Sequence, residues 1–416
     1  MKKNITKLCL LITAVFSLAM ASCGYEPVFY GIMHDVAPEK ATVSGNIISI
    51  ARCNVDGEEY FFLMGNGYLK YKPASSAKHG DWETYSQIPF KLHHYNYFPP
   101  NEGHVGHQIL KVISDQSNIY LLTATYETDN EYGIVLPEQF YLWTRPLAGI
   151  FSGTTADWKN IAQGREAELF ATTHNSEVGT LETNFNLYST NSPEVNHRKA
   201  FFYSINQETG EVAYYILKGL DGVEAYTDFS KTIVAGEGTR WNSAFYIGDD
   251  LYFADSQVVT TNETLTQNAT YACLAGVNKD SRSTADLFIS DGGQAVKFLT
   301  IDSAVASLAM TADSLLIGKG NYVSSSTSNG GIDRVLLDAD GKPQGQTAEF
   351  TNNAKYQFTS SYILMTLLCA DPSKPEAEAC LYASITFRGS GTSSSASYDN
   401  IGLWSYYPER GNWNRE

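Results

Sequence analysis

The densest group of side chains able to hold a ligand lies in LHHYNYFPPNEGHVGH, residues 92 to 107, where His93, His94, His104 and His107 stand among Tyr95, Tyr97 and Phe98. Neutral imidazoles bind divalent transition metals, and His104 and His107 have H-x-x-H spacing. That spacing brings two rings to one side only on a helix, and Pro99 and Pro100 argue for an extended loop instead. No metal or other cofactor is therefore expected. What remains is a connection rich in Tyr, Phe and partly exposed His, which suits a binding surface better than a catalytic one. These seven residues are the candidates for a binding face.

Other chemistry is thin. DADGKPQG, from Asp338 to Gly345, starts like a calcium loop but lacks the later Glu, so a tight hairpin turn is expected there. No G-x-S-x-G elbow, Walker loop or H-E-x-x-H occurs, and no catalytic residue is assigned. Cys369 ends one expected strand and Cys380 begins its antiparallel partner across DPSKPEAEA, which predicts a disulfide between them.

The leader sets the compartment. Lys2, Lys3 and Lys7 precede an apolar run from Leu8 to Met20, about the length of a signal core and too short to span a bilayer. Ala21, Ser22, Cys23 and Gly24 follow, and this junction resembles the lipobox of bacterial lipoproteins, with Met20 where that family usually has Leu. The resemblance implies cleavage after residue 22 and lipid on Cys23. It also implies export and anchoring to the bacterial membrane, expected to be the outer one, through the lipid alone. Removing the leader leaves 26 basic residues (29 − 3) against 45 acidic ones, a formal charge of −19. Nucleic acid would be repelled by that balance.

The elements that must position the candidate residues are strands. Short runs with period-2 alternation, such as NIYLLTATYE, KAFFYSINQ and ACLYASITF, are bounded by Gly, Asp, Asn or Pro. Acidic turns at Asp56, Asp115, Asp249, Asp313 and Asp371 lie 59, 134, 64 and 58 residues apart, which reads as six units of about 60 residues with one degenerate turn near Asn175 to Asn186. Downstream in three units, GYLKYKP, QFYLWTRP and GLWSYYPE lead to Trp82, Trp158 and Trp413, and the corresponding downstream pairs of the middle units, without Trp, are AFFYSINQ with EVAYYILK, TYACLAGV with DLFISD, and DRVLLDAD with QTAEF. Four strands per unit at this period resemble β-propeller blades. The hairpin WSYYPERGNW is similar to the Asp-box of sialidase-like propellers, with Gly411 and Trp413 in the matching places. The expected fold is all-β: one propeller over residues 41–416, with six blades or seven, behind the signal peptide 1–22 and a lipid-anchored linker 23–40.

Two functions fit. The first is a non-enzymatic scaffold that presents a rigid face to an envelope or surface protein. The alternative is a carbohydrate-binding or glycan-degrading propeller, as the Asp-box resemblance implies. Sialidase chemistry would need an arginine cluster, and Arg145, Arg240 and Arg388 are not assignable to inner strands. The three tryptophans are expected to be blade-packing residues.

Overall fold

Strands in this chain are short because turn chemistry interrupts them at regular intervals, and each hairpin is closed by the residue its turn requires. Val55 and Glu58 pair across Asp56-Gly57, whose φ values are +52° and +93°. Positive φ at both central residues is the type I′ geometry that favours Asp-Gly. At the next such turn the Asp115 carboxylate accepts from the N–H groups of Ser117 and Asn118 at 2.7 and 2.6 Å. Asp338 does the same for Asp340 and Lys342, so the calcium-like segment is a hairpin turn.

In this computed structural model the contacts divide the chain into Met1–Thr42 and Val43–Glu416, and the architecture is that of the second unit. The residues described run from 43 to 416, with breaks at 44–46, 48, 66–67, 77–79, 93–105, 130–133, 176–179, 191, 193, 207, 234–240, 248, 256–257, 261–272, 278–284, 292–293, 303–304, 320–330, 351–361 and 388–400. Cys23 lies outside them, as do His93, His94, Tyr95, Tyr97, Phe98 and His104.

The first sheet holds β1 (Ile50–Val55), β2 (Glu58–Gly65), β3 (Tyr68–Pro73) and β4 (Glu83–Thr84) in chain order. The second holds β5 (Gln108–Ser114), β6 (Asn118–Asp129), β7 (Ile134–Pro146) and β8 (Lys159–Asn160). A separate hairpin, β9 (Thr172–Asn175) and β10 (Thr180–Thr183), precedes the third sheet of β11 (Phe185–Ser189), β12 (Ala200–Ile205), β13 (Val212–Leu217) and β14 (Val223–Ala225). The fourth has three strands, β15 (Thr232–Ile233), β16 (Trp241–Ile247) and β17 (Asp250–Asp255), with β15 parallel to β17. The fifth holds β18 (Val258–Thr260), β19 (Cys273–Val277), β20 (Ala285–Asp291) and β21 (Gln294–Ile301). The sixth holds β22 (Val305–Met310), β23 (Ser314–Lys319), β24 (Gly331–Leu337) and β25 (Pro343–Glu349). The seventh holds β26 (Tyr362–Cys369), β27 (Leu381–Phe387), β28 (Gly402–Tyr407) and β29 (Asn412–Arg415).

The sheets are arranged as a β-propeller. One edge strand of each sheet lies beside that of the next, β1 with β5, then β11, β16, β18, β22 and β26. The ring closes where the seventh sheet meets the first: Arg52 of β1 donates to the carbonyls of Cys369 at 2.6 Å and Ala370 at 3.2 Å. Apolar side chains fill the seams between sheets. Phe62, Ile109, Leu121 and Trp158 pack between the first and second, and Leu122, Leu142, Leu187 and Phe202 between the second and third. Ile50, Phe61, Leu368 and Tyr382 pack at the closure. A small sheet leaves apolar side chains on both faces, so stacking is what removes them from water.

The structure corrects two expectations. The repeat predicts AFFYSINQ with EVAYYILK, and TYACLAGV with DLFISD, as third and fourth strands; they are second and third strands of their sheets. The disulfide does not form, and both Cys369 and Cys380 are free thiols. Cys369 stands opposite Leu381, so Cys380, one residue earlier, points to the other face. Accordingly Cys369 packs between the sixth and seventh sheets and Cys380 against the seam between the seventh and the first. A disulfide needs both Cβ atoms on the same side, about 4 Å apart.

Candidate functional site

The one residue of the predicted binding face that is described, His107, immediately precedes β5. Its backbone bridges to Leu92, so the ends of the 93–106 connection lie side by side. The ring is half-buried; Nδ1 lies 3.0 Å from the Thr123 hydroxyl of β6. Phe90 stacks on one side with a centroid separation of 4.6 Å, and Tyr141 lies 4.6 Å away on another. Trp143 is 6.1 Å from His107, 5.6 Å from Phe90 and 6.0 Å from Tyr141, nearly parallel to the last. Burial lowers the His107 pKa, which favours the neutral imidazole.

The local sequence explains the cluster. Tyr141 and Trp143 alternate on β7 and therefore share a face, and they pair with Thr123 and Leu121 of β6. Phe90 comes from the link after β4. All four rings are partly exposed. The Trp143 N–H, by contrast, is buried with no acceptor, so that ring is placed for its faces and not for its polar edge. Period-2 reading of QFYLWTRP could have singled out Tyr141 and Trp143 as a pair. Nothing local signals that Phe90 and His107 join them.

Among the described residues no group of three or more His, Cys, Asp or Glu side chains is placed to hold a metal ion. His107 is engaged by aromatic rings and Thr123. Of the three arginines weighed for a sialidase-like cluster, Arg145 lies on β7 and is buried; it donates to the Tyr85 hydroxyl at 2.6 Å and stands 5.9 Å over the Trp158 ring. Arg240 and Arg388 lie outside the described residues. Trp82, Trp158 and Trp413 are all buried in the seams between sheets.

No family model matches the chain and no curated protein matches it. Among solved structures it is similar to a puromycin hydrolase, at 13% identity and a TM-score of 0.34, covering 90% of this chain and 47% of that one. It is also similar to an ulvan lyase, a polysaccharide lyase, at 11% identity and a TM-score of 0.33, over 86% of this chain and 78% of that one. A GH43_1 enzyme from Xanthomonas citri matches at 9% identity and a TM-score of 0.28, over 76% and 93%. The chain spans about half the length of the puromycin hydrolase. At these identities and scores the functional reading rests on this chain's own residues.

Proposed function

We propose that the chain is an exported lipoprotein whose propeller, closed by seven blades, binds carbohydrate on the surface formed by Phe90, His107, Tyr141 and Trp143. The observation that carries this reading is the cluster itself: four partly exposed rings, two of them nearly parallel. The apolar face of a pyranose stacks on such rings while its hydroxyls stay in water or meet an exposed polar neighbour, here Gln139. Gln139 accepts from the Tyr141 hydroxyl at 2.8 Å, which fixes that ring. Aromatic stacking is worth about 0.5–1.5 kcal/mol per pair beyond burial, so two rings suffice for weak glycan affinity and repetition along a polymer raises it.

A glycan array with the domain from residue 41 onward tests this. Retention of a defined class of neutral or acidic oligosaccharide is expected, weakened about tenfold in Trp143→Ala, a loss near 1.4 kcal/mol. An array with no retained glycan, together with capture of one envelope protein by crosslinking, would restore the scaffold reading.

A further inference from the structure

A second cluster of polar groups lies where β5 meets β11. Lys111 lies in the middle of β5, half-buried, and its ammonium donates to the Asn186 side-chain carbonyl of β11 at 3.0 Å. That carbonyl also accepts the Leu187 N–H at 2.8 Å. Lys111 has no carboxylate within ion-pairing distance, and the amide N–H groups of Asn186 have no acceptor, among the described residues. An ammonium and an amide therefore offer donors at one place between β5 and β11 with nothing to receive them, in a domain of strongly negative net charge. Taking a cation partly out of water without an anion is costly, and burial accordingly lowers the amine to about 8.

The connection between β11 and β12 reaches two other sheets. Its Arg198 is fully buried and reaches Glu59 of β2 through two bonds of 3.2 and 2.7 Å. The adjacent His197 stacks on Tyr246 of β16 at 4.3 Å. A single connection from the third sheet thus touches the first and the fourth.

We propose that Lys111, with Asn186 beside it, anchors an anion site between β5 and β11 that takes a carboxylate or a sulfate carried by a small ligand. The site is separate from the aromatic surface: Lys111 pairs with Leu122 on the face of the second sheet that meets the third, and Trp143 packs on the face that meets the first.

Pulse acetylation with acetic anhydride at pH 8, read at the Lys111 peptide by mass spectrometry, tests it on the domain from residue 41 onward. Sodium glucuronate or sodium sulfate, at about ten times its dissociation constant, is expected to slow Lys111 acetylation about tenfold, because a tenth of the sites stay free. Glucose is expected to leave it unchanged. Protection by sulfate alone would identify a free inorganic anion, and protection by glucuronate alone a carboxylate sugar. Titration calorimetry should show the protecting anion retained by Lys111→Arg and lost in Lys111→Met, with Trp143→Ala binding as the parent does. No protection by either anion, or equal protection by glucose, overturns the proposal. Failure on the array with Lys111 protected would sink only the aromatic surface.

Discussion

His107 shows how a residue chosen for one chemistry is assigned another by its neighbours. Stacked between Phe90 and Tyr141, the imidazole is held neutral, so its folded pKa lies below the ordinary value of 6.5. The unfolded chain then takes up a proton first as pH falls, and the stability that the neutral ring supports is fully present above about 6.5 and lost below it, down through the folded pKa. We expect the urea midpoint to drop between pH 7 and pH 5, and His107→Phe to flatten part of that drop while keeping the stacking. Equal slopes in the two proteins would show that His107 does not carry the effect. The thiols make the same point. Cys53 and Cys380 are both pushed up to about 12 by burial, which makes them packing residues and poor nucleophiles.

Among the elements, the closure between the seventh and first sheets holds a buried ion pair. Lys72, at the end of β3, pairs with Glu416 at 3.1 Å with both side chains fully buried. Glu416 also accepts from the Trp82 indole at 2.5 Å and from Tyr407 at 3.2 Å, and from the Ser405 hydroxyl. The ammonium stands over the Trp82, Tyr382 and Tyr407 rings at 5.8, 5.5 and 5.3 Å. Removing one partner from such a pair leaves a buried charge uncompensated, at a cost of about 3–5 kcal/mol. Lys72→Met should therefore destabilise by about that much, and adding Glu416→Gln should recover a large part. Urea melts of the two single variants and the double variant check this; simple additivity would mean that the pair is not coupled. Arg145 has a related role in the second sheet, where it links β7 to Tyr85 and lies over Trp158. A cation followed by proline at the end of the third strand is visible in both YLKYKP and YLWTRP. Its role as a bridge to the neighbouring sheet is visible only in the fold.

For the molecule as a whole, the proposed lipid anchor makes its own prediction. On that proposal Cys23→Ala should move the protein into the aqueous phase of a detergent partition, because acyl chains supply membrane affinity of about 0.8 kcal/mol per buried methylene. Partition of the variant with the parent would refute lipidation at Cys23. Among the described residues no helix is long and apolar enough to cross a membrane.

The sequence by itself determined the strands and their turns, because alternation and turn chemistry act over a few residues: Asp56-Gly57, Asp115 and Asp338 all close hairpins where the local pattern predicts them. It also determined that short sheets must stack, since too many apolar residues alternate for one face to bury. The phase of the repeat was decided elsewhere. The acidic turn is absent between β11 and β12, and the β9–β10 hairpin lies ahead of that sheet, so counting turns places β12 and β13 one strand too late. Register decided that Cys369 and Cys380 point to opposite faces, a distinction of one residue that no spacing encodes. The gathering of Phe90, His107, Tyr141 and Trp143, and of Lys111 with Asn186, was likewise left to the tertiary structure. Their partners come from different strands and different sheets, and only the packing of neighbouring sheets sets which of them meet.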